Sequence, residues 1–207
     1  MIRPKWRSVT AVIAMPAMVA VIAGVSYVLI EAAVTPASAQ TKAPAPPVEF
    51  TADGKLKQPL GYRRWVYIGT PLTPNDLNNG EASFPEFHEV YMDPESFAHF
   101  EKTGKFRDGT VLIKELSSVG SKEAPSGKGY FQGEFTGLEA AIKDSKRFKD
   151  EPGNWGYFSF GHKYPLKSEV SKNAVAACNL CHQDNAKTDW VFSQYYPVLR
   201  AAAPRSK

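Results

Sequence analysis

Val111-Leu112-Ile113-Lys114-Glu115-Leu116-Ser117-Ser118-Val119, residues 111–119, reads as a β-strand, and that reading decides the class of the fold. Residues two apart in a strand share a face. Leu112, Lys114 and Leu116 therefore point one way, Val111 and Ile113 the other. Both faces carry apolar side chains, so alternation alone does not say which is core. Lys114 stands out between its two leucines. On a buried face, desolvation depresses the amine's pKa and leaves a neutral nitrogen nucleophile. On an open face, its stem lies along apolar neighbours and its head reaches water.

Working outward, more strands appear on both sides. Trp65-Val66-Tyr67-Ile68 is rich in β-branched and aromatic residues and stops at Gly69. Residues 70–80 form a loop of prolines and asparagines, and residues 87–92 read as another strand. Asp93-Pro94 gives a helix N-cap with proline at the first helical position, and Gly104 a C-terminal stop. Asp108-Gly109 is a turn. Downstream, a Gly/Ser/Lys-rich loop leads to a strand over 130–135. Apolar residues at Leu138, Ala141, Ile142 and Phe148 predict a helix over 138–148. Residues 155–160 are a strand dense in aromatics. A short helix is expected to run into Cys178, and another to start at Thr188-Asp189 and end before Pro197. Short strands with short connections give an α+β fold, mainly an antiparallel β-sheet with a few helices.

Near the C-terminus stands Cys178-Asn179-Leu180-Cys181-His182. Cys-x-x-Cys-His is the attachment signature of a c-type haem. Two thiols bond the porphyrin and the adjacent imidazole, His182, reaches the iron as proximal ligand. A zinc site would need more cysteine or histidine close by, and the next nearest histidine is His162.

The N-terminus agrees with covalent haem attachment outside the cytoplasm. Arg3, Lys5 and Arg7 precede an apolar stretch over 9–30, and Ala37-Ser38-Ala39 forms an A-x-A cleavage site. Residues 1–39 are expected to be a signal peptide and the protein periplasmic. The rival is an uncleaved membrane anchor, since about 20 apolar residues can span a bilayer. Residues 40–60 read as a Pro/Ala-rich linker, with order beginning near Tyr62 and a haem domain over 61–207. Residues 1–39 hold three basic residues and one acidic one. The remainder keeps 22 of 25 basic and 20 of 21 acidic side chains. That balance argues against a nucleic-acid partner, which wants a clustered basic face. Both cysteines belong to the haem motif, so none is left for a structural disulfide.

Electron-transfer cytochromes c commonly use methionine as second axial ligand. Beyond residue 39 the only methionine is Met92, and no Met or His follows His182. A bis-His haem would need His88, His99 or His162. The last two have the context of a surface helix and a strand end, where solvated side chains are expected. The economical reading is a five-coordinate haem with one open face. A four-helix bundle is disfavoured, because it needs four long segments of 3.6-residue period.

The chain resembles the cytochrome P-460 family, c-type haem proteins that oxidise hydroxylamine, over residues 62–200. The blocks that carry the resemblance include Tyr62-Arg63-Arg64-Trp65, Gly69-Thr70, Thr73-Pro74-Asn75, Val90-Tyr91-Met92-Asp93-Pro94 and Asp108-Gly109-Thr110. They continue through Ile113-Lys114-Glu115-Leu116, Gly129-Tyr130-Phe131, Gly137-Leu138-Glu139-Ala140, Lys143-Asp144-Ser145 and Glu151-Pro152-Gly153-Asn154-Trp155. The haem motif, Val191-Phe192 and Tyr195-Tyr196-Pro197-Val198-Leu199-Arg200 complete them.

The resemblance implies a mainly antiparallel fold like that of cytochrome c′-β, packed as a homodimer. It implies one haem c, held by Cys178 and Cys181, with a further bond from the Lys114 side chain to a meso carbon. It implies that Glu139 stands over the open iron face as a proton acceptor; at the start of a helix its carboxylate would also be favoured by the helix dipole. His88 shares a strand face with Val90 and Met92 and is a candidate for the distal pocket, where the family allows an arginine. The expected activity is oxidation of hydroxylamine to nitrous oxide, nitric oxide or nitrite, with electrons passing to an external acceptor such as a soluble cytochrome c. The alternative is a non-catalytic binder of nitric oxide or another gas, of the c′-β type.

Overall fold

The computed structural model describes residues 46–204. The expected signal peptide and the first part of the linker lie outside the described residues. Among those described, no helix is long and apolar enough to cross a membrane.

The strands are β1 (Leu56–Lys57), β2 (Val66–Gly69), β3 (Phe87–Met92), β4 (Val111–Val119), β5 (Glu123–Ala124), β6 (Gly127–Lys128), β7 (Gln132–Lys143), β8 (Trp155–Gly161) and β9 (Glu169–Val170). The helices are α1 (Pro94–Thr103), α2 (Asn179–Asn185) and α3 (Pro197–Ala202). Five strands form one antiparallel sheet in the order β2-β3-β4-β7-β8. The expected α+β class, with an antiparallel sheet and a few helices, is therefore the class found. Order begins before Tyr62, however. Leu56 is fully buried and pairs with Val170, so the second half of the segment expected to be linker joins the fold.

The ambiguity at β4 resolves in favour of both faces. Val111 and Ile113 enter one core with Leu138, Ala140, Ile142, Phe158 and Phe160. Leu112 enters a second core with Val90, Met92, Trp155, Tyr157 and Phe100. A central strand covered on both sides reads as a nearly continuous apolar run.

The helix expected over 138–148 is instead the end of the twelve-residue β7 followed by turns. Apolar residues at 138, 141 and 142 fit a helical period, but burial alternates by two. Leu138, Ala140 and Ile142 face the first core, and Ala141 packs against the second. The strand expected over 130–135 starts at Gln132. The helix expected from Thr188 is also absent. Asp189 and Trp190 sit at φ 47° and 58°, the left-handed region, in a tight turn closed by Val191 N–H donating to the Thr188 carbonyl at 2.8 Å. A 3-10 turn at Ser193–Tyr195 and then α3 follow.

α1 forms where its caps place it. Asp93 Oδ1 accepts from the Ser96 N–H at 2.9 Å, and Gly104 stops the helix at φ 67°. The same carboxylate accepts from the Val111 N–H at 2.8 Å through Oδ2, which locks the helix start to the start of β4. Asp93 is almost fully buried. Asp93→Ala removes a cap and orphans a buried donor, so it is expected to cost about 2–3 kcal/mol. Thermal or urea unfolding of the variant measures this directly.

Candidate functional site

Register brings the site together. Val90, Lys114, Glu139 and Ser159 are consecutive cross-strand partners on β3, β4, β7 and β8. Lys114 is therefore not isolated between its leucines. Its Nζ lies 2.5 Å from Glu139 Oε2, and both side chains are about four-fifths buried. Glu139 is on a strand rather than at a helix start, so no helix dipole acts on it. Burial, the largest influence on its carboxyl, opposes ionisation. The hydrogen bond from His162 and the charge of Lys114 outweigh burial and hold the pKa down to about 2.

A cavity of about 600 Å³ opens on this face of the sheet. Val90, Leu112, Lys114, Glu139, Ala141 and Tyr157 form its floor. Cys178, Cys181, His182, Trp190, Phe192 and Tyr195 form the facing wall. Phe84 and His88 stand at one side, with Lys114 Nζ 4.3 Å from the centre of the Phe84 ring. The volume is within the range of small-molecule and cofactor sites.

The facing wall is built locally by the sequence. Cys178 is the N-cap residue of α2 and Cys181 lies in its first turn, so three-residue spacing puts both sulfurs on one side. Neither is disulfide-bonded. Asn179, fully buried, donates to the Trp155 carbonyl at 2.8 Å and fastens α2 to β8. The Asn173 N–H similarly donates to the Tyr157 carbonyl at 2.8 Å, and Lys167 N–H to Phe160 at 2.9 Å.

His182 is held on three sides. Its ring packs between Tyr157 at 4.4 Å and Phe192 at 4.6 Å. Its Nδ1 lies 2.8 Å from the Trp190 carbonyl oxygen. A carbonyl can only accept, so Nδ1 carries the proton and Nε2 keeps its lone pair. The left-handed turn at Asp189-Trp190 is what aims that carbonyl, and Lys143 Nζ pins the turn through Asp189 at 2.9 Å. Burial lowers the His182 pKa, favouring the neutral imidazole that metals require. A hydrogen bond on the far nitrogen is what usually fixes the ring orientation and tautomer of a metal-bound histidine.

These residues fit a c-type haem. Two unpaired thiols, one oriented imidazole and a largely apolar cavity meet at one place. Met92 and His99 do not line that cavity; Met92 lies fully buried in the second core. A Met/His or His99 pairing is not supported by this arrangement. His88 does line it, on the strand face shared with Val90 as expected. Its Nε2 is buried without a hydrogen-bond partner. Burial first, then the charge of Lys114, lowers its pKa to about 4.

A family model described as Cytochrome P460 matches residues 59–193, from just before β2 through the haem motif. The chain belongs to the cytochrome P460 family. No curated protein matches it. Membership in the cytochrome P460 family makes this a haem protein of the oxidoreductase type with a c-type haem. Within this cytochrome P460 domain the fold brings Cys178, Cys181, His182, Lys114, Glu139 and His88 to one cavity.

Sequence reasoning missed one residue of this cluster. His162, expected to be solvated at a strand end, places Nε2 3.1 Å from Glu139 Oε1. Simple alternation along β8 puts it on the face opposite to Ser159. A bulge shifts the register between Leu138 and Glu139, with Gly161 at φ 118°, and turns His162 back toward Glu139. Across the strand pair, a Cβ on Gly137 would meet the Gly161 carbonyl at 2.7 Å, so the bulge needs glycine on both sides.

Proposed function

We propose that this chain is a periplasmic c-type haem enzyme that oxidises hydroxylamine. The observation that carries the reading is the Lys114–Glu139 pair on the cavity floor, facing Cys178, Cys181 and His182 across about 600 Å³. A plain electron carrier has no use for an ion pair against an open coordination face. Neither does a simple gas binder.

The roles follow from position. Cys178 and Cys181 would hold the haem by thioether bonds, and the unprotonated Nε2 of His182 would ligate its iron. Lys114 Nζ would replace the hydrogen of a macrocycle carbon, a step that releases two protons and passes two electrons to an external oxidant. When bound, the haem supplies an iron that takes the substrate nitrogen and passes its electrons on. Glu139, hydrogen-bonded to His162, receives protons that hydroxylamine loses. Phe84 and the apolar floor exclude bulk water, and His88, neutral at working pH, offers a hydrogen bond to a small polar ligand. Conversion of two hydroxylamines to nitrous oxide and water releases four electrons and four protons. The electrons go to an external acceptor such as a small soluble cytochrome c. We propose that the protein works as a homodimer.

Anaerobic assay of the holoprotein with hydroxylamine and an artificial electron acceptor tests the reading. The expected result is acceptor reduction with nitrous oxide formed. Peptide mapping is expected to recover a Lys114–haem–Cys178 species. An ordinary c-type spectrum, no such species and no acceptor reduction would leave the c′-β type of gas binder.

A further inference from the structure

We propose that His162 is the outlet of the proton path, taking protons from Glu139 and releasing them to solvent. The proposal rests on the reading of Glu139 as the proton acceptor in hydroxylamine oxidation. The electrons leave through the haem, but the protons must cross the wall of the cavity.

Glu139 uses its two oxygens separately. Oε2 meets Lys114, and Oε1 meets His162. The His162 side chain is 42% exposed against 20% for Glu139, so this imidazole is where the polar contacts from the cavity floor reach water. His88 cannot serve the same purpose. It is enclosed, its Nε2 has no partner, and it is neutral at working pH.

The groups facing His162 are Glu139 from β7, Lys114 from β4 and Glu86 from the segment before β3. The Phe84 ring lies tilted against it at 5.9 Å. Two carboxylates face it against one lysine nitrogen, which carries no ammonium charge once bonded to the macrocycle, and the hydrogen bond to Glu139 is the main reason that the His162 pKa is raised above 6.5. Proton affinity therefore increases outward. The buried carboxylate binds protons weakly, and the exposed imidazole binds them more strongly. A proton arriving at Glu139 moves downhill to His162, and buffer removes it there.

The test compares wild-type holoprotein with His162→Gln, His162→Ala and Glu139→Gln in hydroxylamine oxidation across neutral pH. His162→Gln can keep a hydrogen bond to Glu139 but cannot titrate. Both His162 variants are expected to lose about tenfold or more in kcat near neutral pH, with little change in KM. Imidazole in the buffer is expected to restore turnover of His162→Ala in proportion to its concentration. Independently of turnover, ring nitrogen NMR should find His162 titrating above 6.5 in the wild type and lower in Glu139→Gln. A wild-type kcat and pH profile in His162→Gln, with Glu139→Gln slow, would overturn the outlet while sparing Glu139. A wild-type rate in Glu139→Gln would instead overturn the reading of Glu139, and the outlet with it.

Discussion

Lys114→Ala is expected to leave the haem bound through Cys178 and Cys181 but to give an ordinary c-type Soret band, shifted from that of the wild type, and to abolish fast hydroxylamine oxidation. On the proposed reading, losing the amine removes the bond to the macrocycle, and with it that bond's effect on the electronics of the iron. A drop on the order of a hundredfold in kcat corresponds to roughly 3 kcal/mol of transition-state stabilisation. The substitution has a second consequence in the protein itself. In chains whose Lys114 has not bonded the macrocycle, Glu139 loses the ammonium 2.5 Å away and keeps only His162, so burial is less opposed and its carboxyl rises from about 2. Removing one partner of a largely buried pair is destabilising. Lys114→Arg separates the two effects: it keeps a cation opposite Glu139 but cannot make the same bond. Optical spectra and turnover of both variants give the answer. An identical Soret band in wild type and Lys114→Ala would remove the cross-link from the mechanism.

Glu139→Ala is expected to keep the wild-type Soret band and to bind hydroxylamine, yet to turn over about 10²–10⁴ times more slowly. The lost function is acceptance of protons during oxidation, so substrate binding followed optically should change far less than kcat. Glu139→Gln preserves shape and should be nearly as slow. The carboxyl's low pKa also sets a pH window for stability. Ionised Glu139 stabilises the fold fully above its ordinary value near 4.5, and that contribution disappears as pH falls toward 2. Acid unfolding of wild type and Glu139→Gln should therefore diverge above pH 4.5 and converge toward pH 2. Undiminished turnover in Glu139→Ala would take this residue out of the chemistry.

Some of this arrangement is legible in the sequence because local rules decide it. The caps at Asp93 and Gly104 fix α1 without help from the rest of the chain. The alternation in 111–119 places Lys114 between leucines before any partner strand is known. The spacing of Cys178, Cys181 and His182 is itself the chemistry. What stays hidden depends on contacts distant in sequence. Leu138, Ala141 and Ile142 satisfy a helical period as well as a strand, and only pairing with β4 and β8 selects the strand. The turn at Asp189-Trp190 is stabilised by Lys143, forty-six residues away, and local propensity does not register it. His162 is hidden for a different reason. Its face is set by a one-residue bulge, and a parity count along β8 gives the wrong side.

The bonds that fasten the haem motif to β8 also close an edge of the sheet. β8 is an outermost strand, and the carbonyls of Trp155, Tyr157 and Phe160 are taken up by Asn179, Asn173 and Lys167. An edge strand without such cover is a template for pairing with another chain. The segment that carries the haem motif is thus also the guard against strand pairing with another chain along β8. Chains made without haem attachment, in which that segment has less to hold it down, are expected to aggregate through β8 rather than to accumulate as soluble apoprotein.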